Sequence, residues 1–124
     1  MPHLTLEHSA NVPLPTDPAH IMKAMHDVLH ETGGVKIENC KSRIRVADPF
    51  FISTGEENGA FLHLDVRLLA GRTVVLKQAI GNGLLDLLKD EYEEIMRTRD
   101  LQITVEIRDI QRDEYFKYPE GTLT

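Results

Sequence analysis

Two stretches of this chain repeat the same order of elements, and that repeat limits the possible folds more than anything else in the sequence. Residues 3–8 alternate, with Leu4 and Leu6 on one face and His3, Thr5 and Glu7 on the other, the period of a half-buried strand. Pro13, Pro15 and Pro18 then break the chain, and Asp17-Pro18 reads as a helix cap followed by a first-turn proline. Ile21, Ala24, Met25, Val28 and Leu29 follow at helical spacing, and Gly33-Gly34 closes that helix. Cys40, Ser42, Ile44 and Val46 next alternate with Lys41, Arg43 and Arg45, a second strand with a basic outer face. After a connector over Asp48–Asn58, carrying Pro49, Phe50, Phe51 and Gly55, the order recurs. The second copy predicts a strand over Phe61–Leu69, a helix from about Thr73 to Arg97 and a strand over Leu101–Asp109. A tail over 111–124 holds Tyr115, Phe116 and Tyr118, too aromatic for simple disorder.

The copies align residue by residue. His3-Leu4-Thr5-Leu6 falls on His63-Leu64-Asp65-Val66 at an offset of 60, and Ile44-Arg45-Val46-Ala47-Asp48 falls on Val105-Glu106-Ile107-Arg108-Asp109 at an offset of 61. The expected fold is α+β: two tandem βαβ units, about 2–48 and about 60–110, within a single domain spanning 1–124. Each unit crosses over right-handed and pairs its strands in parallel. Side by side the two units make a four-stranded mixed sheet with both helices on one face. In this alignment Leu62 is the counterpart of Pro2, Val12 of Arg72, and Thr104 of Arg43.

Charge and cysteine content narrow the function classes. The net charge of −6, from 14 Lys+Arg against 20 Asp+Glu, argues against nucleic acid as a partner. The single cysteine, Cys40, excludes an internal disulfide and suits a reducing cytoplasm. The start lacks the basic and apolar regions of a signal peptide, and no apolar run is long enough for a membrane span.

Pro2 offers unusual chemistry. A methionine before a small residue is normally removed, and without Met1 the proline becomes a secondary amine at the entry of an ordered strand. An α-amino group titrates at about 7.7–8.0, and desolvation or nearby cations lower that toward a value suited to proton abstraction. With Met1 attached, Pro2 is an amide and has no such role. His26 and His30 lie four apart on one helical face, but no third ligand accompanies them and a solvated face is the simpler reading. Cys40 follows the inward phase of its strand and reads as packing. Ala79-Ile80-Gly81-Asn82-Gly83 lies inside a helix pattern and is not a nucleotide loop. Phe50 and Phe51 either wall a pocket or fill core. Taken by itself, Arg43 is more simply a solvated strand residue. A cation such as Arg72 just before a helix is mildly unfavourable on structural grounds alone.

Pro2-His3-Leu4 with Glu7, Ser9 and Asn11 behind it, Ser42-Arg43, Ala70-Gly71-Arg72 and Tyr115-Phe116-Lys117 occur in this order over nearly the whole length. Together they make the chain resemble the 5-carboxymethyl-2-hydroxymuconate isomerase family. That family is part of the tautomerase superfamily, with 4-oxalocrotonate tautomerase and macrophage migration inhibitory factor. The resemblance implies a cofactor-independent, metal-free isomerase that shifts a proton in an unsaturated dienol di- or tricarboxylate. It further implies a homotrimer and a place as delta-isomerase in homoprotocatechuate (4-hydroxyphenylacetate) catabolism. Carried onto this sequence, it makes Pro2, Arg43 and Arg72 catalytic and Arg43 and Arg72 substrate-binding; Phe51, as a candidate pocket wall, is added to the substrate-binding residues. Lys41 and Arg45 stand where arginine and histidine are expected, and Pro49-Phe50-Phe51 is this chain's own connector, so the substrate stays open. Two alternatives are another superfamily reaction, such as keto-acid tautomerisation or haloacrylate hydration-dehalogenation, and a non-enzymatic interaction protein with an unused proline.

Overall fold

A computed structural model describes residues 1–121. The sheet is built from β1 (His3–Ser9), β2 (Lys41–Ala47), β3 (Gly59–Leu69) and β4 (Asp100–Ile110) in the spatial order β2-β1-β3-β4. β1 runs parallel to β2, β3 parallel to β4, and the two units meet through the antiparallel β1/β3 pair. Helix α1 spans Pro18–Gly33 and α2 spans Val74–Glu91.

The alternation of the inner strands sets which side is covered. Leu4 and Leu6 of β1 and Leu62, Leu64, Val66 and Leu68 of β3 are fully buried against Ile21, Met25 and Leu29 of α1 and Ile80, Leu84 and Leu88 of α2. Each such side chain removed from water stabilises the fold by about 1.5–3 kcal/mol before entropy is counted. The opposite residues, among them His3, Thr5, Glu7, His63 and Asp65, form an open and polar sheet face. The helices approach closely at Gly83, where a Cβ would lie 3.1 Å from Val28 Cγ1. That contact accounts for the glycine within α2.

Helix ends follow local chemistry. Gly34 adopts φ 67° and closes α1 with its N–H on His30 O. Asp17 holds the cap position of α1 without a side-chain capping bond, whereas Thr73 Oγ1 accepts from Leu76 N at 3.2 Å and caps α2. The single helix expected to Arg97 is two. α2 ends at Glu91, Tyr92 leaves helical geometry at φ −109°, ψ 22°, and a short α3 spans Glu93–Thr98. Asp90 and Glu91 oppose the negative carboxyl end of α2, while Glu93 and Glu94 suit the positive amino end of a new helix.

The sheet register also corrects the repeat. Ala10 N donates to Ala47 O and Ala70 N to Ile110 O, which keeps the first strands at an offset of 60 but sets the second strands at 63 rather than 61. Leu4 pairs with Ser42 and Leu64 with Val105; Thr5 pairs with Arg43 and Asp65 with Glu106. The counterpart of Arg43 is therefore Glu106, and Thr104 answers to Lys41. A slip of two residues leaves every side chain on its own face, so alternation cannot reveal it.

Candidate active site

The chain enters the sheet through an inner strand, so its amino terminus is clamped between neighbours. Pro2 is buried, and its carbonyl accepts from Lys41 N of β2 at 3.1 Å. On the other side lies the loop between β3 and α2, turned by Gly71 at φ +124°. Arg72 is half-buried in that loop and donates Nη1 to Leu69 O at 3.0 Å. Arg112, at the start of the tail, donates Nε to Ala70 O of the same loop at 3.0 Å. The terminal amine, carried here by Met1, is pushed below its ordinary pKa. Burial is the main cause, followed by the charges of Arg72, Lys41 and Arg112.

Arg43 occupies a neighbouring position. It projects from β2 on the open face and donates Nη2 to His3 Nδ1 at 2.9 Å, while His3 Nε2 lies 2.9 Å from Tyr115 Oη. The tail aromatic ring stands edge-on to the imidazole, with centroids 6.1 Å apart and planes at 66°. His3 is held below its ordinary pKa by burial and then by Arg43, Lys41, the terminal amine and Arg67. His3, Arg43 and Tyr115 border a depression of about 720 Å³ on the open face, lined also by Arg45, Arg67 and Arg108, whereas Pro2 and Arg72 do not line it. At its floor Asp65 binds Arg67 Nε at 3.1 Å and Arg108 Nε at 3.0 Å.

Within one chain, then, Arg72 acts on the amino terminus through its charge, and Arg43 contacts the residue that follows Pro2. Phe51 is not brought in. It is 76% exposed in the connector, does not line the depression, and its ring lies over Gly55, where a Cβ would come within 2.7 Å of it. Core filling is excluded for Phe51. His26 binds Ser42 Oγ at 2.6 Å and His30 binds Val35 O at 2.9 Å, so each ring ties α1 to its own surroundings. Cys40 packs at the core margin, and burial raises its thiol pKa, which suits packing rather than attack. Sequence reasoning missed Lys41, Arg112 and the His3–Tyr115 contact as parts of this neighbourhood. Only the Tyr115-Phe116-Lys117 fragment hinted at the last.

The fold is that of the tautomerase superfamily. The chain is similar to a crystal structure of a 5-carboxymethyl-2-hydroxymuconate isomerase from Deinococcus radiodurans R1, at a TM-score of 0.84 and 25% identity, covering 94% of this chain and 87% of that one. It also shares its fold with a fused 4-OT wild-type symmetric trimer, at a TM-score of 0.76 and 21% identity, covering 98% and 95%. The class is isomerase. More narrowly, the sequence model for 5-carboxymethyl-2-hydroxymuconate isomerase matches residues 2–120, and the chain belongs to that family. The Escherichia coli 5-carboxymethyl-2-hydroxymuconate Delta-isomerase is 26% identical over 117 residues, covering 94% of this chain and 93% of the relative.

Proposed function

We propose that this protein moves a proton within an unsaturated hydroxymuconate-type acid, with Pro2 as the base once Met1 has been removed. The observation that carries this reading is the placement of Pro2, buried at the entry of an inner strand with its carbonyl on Lys41 N, beside a Met1 amine whose pKa is lowered by burial and by Arg72, Lys41 and Arg112. Removal of Met1 frees the Pro2 nitrogen, one residue further into the sheet at a buried position, where the same burial and cations favour an unprotonated amine. It takes a proton from the 2-hydroxyl end of the dienol acid and returns it to a carbon further along, so one group serves as base and then as acid. Charge builds on the 2-oxygen and adjoining carboxylate, and fixed guanidinium groups stabilise it as it appears. Arg72 beside the amine and Arg43 beside His3 are suited to that task, since a planar guanidinium pairs bidentately with carboxylate and keeps its own proton.

The family favours 5-carboxymethyl-2-hydroxymuconate as substrate, within homoprotocatechuate catabolism. A homotrimer suits the fold, because β2 and β4 each leave one edge unpaired in a single chain and natural sheets cover such edges. The fused 4-OT trimer of the same fold supports that number. The test is intact-mass analysis joined to a dienol-acid assay. Active protein is expected to begin at Pro2, and Pro2→Ala, which keeps a primary amine, is expected to be slower but measurable. Full activity in a sample whose every chain retains Met1 would remove Pro2 from the mechanism.

A further inference from the structure

We infer that His3 is a positioning residue that aims the Arg43 guanidinium, and that Tyr115 of the tail fixes the imidazole for that task. The inference rests on the proposed role of Arg43 as a carboxylate binder. A guanidinium has only donors, so at 2.9 Å from Arg43 Nη2 the His3 Nδ1 must present its lone pair. In a neutral imidazole the proton then sits on Nε2, which donates to Tyr115 Oη at 2.9 Å. Two partners thus select one tautomer, and the edge-on tyrosine ring holds the plane of the imidazole. One Arg43 donor is consumed in this contact and four N–H groups stay in a fixed fork for a ligand.

The surroundings keep His3 in the form this needs. β2 brings Lys41 and Arg43 to it, β3 brings Arg67, and the terminal amine lies beside it. The acid of β3, Asp65, is engaged by Arg67 and by Arg108 of β4, and Tyr115 and Glu114 complete the tail side of the depression. A second proton on His3 would place a cation against Arg43 and turn the acceptor into a donor, releasing the guanidinium. The tail is thereby linked to the site, because Tyr115 acts on Arg43 through His3.

The experiment is a double-mutant cycle read by steady-state kinetics, with the dicarboxylate substrate, and by the guanidinium nitrogen spectrum of Arg43. His3→Ala is expected to raise KM by about ten-fold, the equivalent of one charge-assisted hydrogen bond, with a smaller loss in kcat. His3→Asn, whose Oδ1 offers an acceptor near the place of Nδ1, is expected to recover most of that loss. In an Arg43→Ala background His3→Ala is expected to add nothing. Separate Nη resonances, which report hindered rotation, are expected to merge in His3→Ala. Additive kinetic losses, or Nη resonances that stay separate in His3→Ala, would overturn the positioning role. If the resonances merge while Arg43→Ala leaves the kinetics unchanged, the positioning contact stands and the carboxylate-binding reading of Arg43 falls.

Discussion

Replacing Arg72 by alanine tests two consequences of one placement. The guanidinium is half-buried beside the terminal amine and is the first of the charges that lower its pKa, after burial itself. Its first expected effect is on binding and transition-state charge. A hydrogen bond to a charged group contributes about 1.5–3 kcal/mol, so kcat/KM is expected to fall by about 10- to 150-fold. The lower end applies if water enters the half-open loop and replaces part of the contact, the upper end if the loop stays dry. The second effect is on the pH profile. Removing a cation favours the protonated amine, so the acidic limb of kcat/KM, which follows the free base, is expected to move to higher pH. Arg72→Lys separates the two, since it restores the charge and hence the limb without the planar fork. The assay is initial rates with a dienol dicarboxylate across the pH range in which the amine titrates, on protein confirmed to begin at Pro2. A fall in kcat/KM with an unmoved acidic limb would show that the titrating base lies elsewhere. No change in either would remove Arg72 from the site.

The processed protein is expected to scatter light as a trimer and to bind a tight competitive dicarboxylate once per chain, because Leu62 stands mid-chain in the place of Pro2 and carries no amine; a stable active monomer, or two ligands per chain, contradicts this. Stability is expected to fall with acid in a window just below about pH 6.5, since His3 and His26 both have lowered pKa values, so the native state binds fewer protons there than the unfolded chain. The neutral-imidazole contribution is complete above the unfolded pKa and is lost as pH falls through the folded one. Urea midpoints of the wild type and His3→Asn across that window check it, and identical pH dependences would refute the His3 share.

The strands were legible because their chemistry is local. Leu4 and Leu6, and Leu62 through Leu68, alternate so regularly that one covered face follows from them alone, and Gly33-Gly34 announces the end of α1. The break at Tyr92 was not legible, because Tyr92 and Ile95 continue the apolar spacing of α2 while the chain around them changes direction. The strand register was hidden for a different reason. Pairing Arg43 with Thr5 rather than shifting it by two depends on the whole sheet, and both choices leave Arg43 on the same face. The contact from Arg43 to His3 and Tyr115 inherits that uncertainty, since it joins three segments far apart in sequence. Arg72 comes near enough to the amino terminus for its charge to act there because β1 and β3 are adjacent, which the repeat does imply. Phe51 was a candidate pocket wall, and in a single chain its connector carries it into solvent.

The placement of Glu106 opposite Asp65, where the first unit sets Arg43 opposite Thr5, has a bearing on how such a protein diversifies. If each unit were a separate chain, any substitution would appear in every copy at once, and a change that improved chemistry would have to be tolerated as scaffolding too. Joining the units lifts that restriction. In the second unit, with its eleven-residue strands, acidic side chains neutralise arginines at the floor of the depression. The first, with seven-residue strands, carries the amino terminus with Lys41 and Arg43, and the second adds Arg72 from the loop after β3. In the joined chain a substitution is made once per molecule rather than in every unit, so the two halves are free to differ, as Arg43 and Glu106 do.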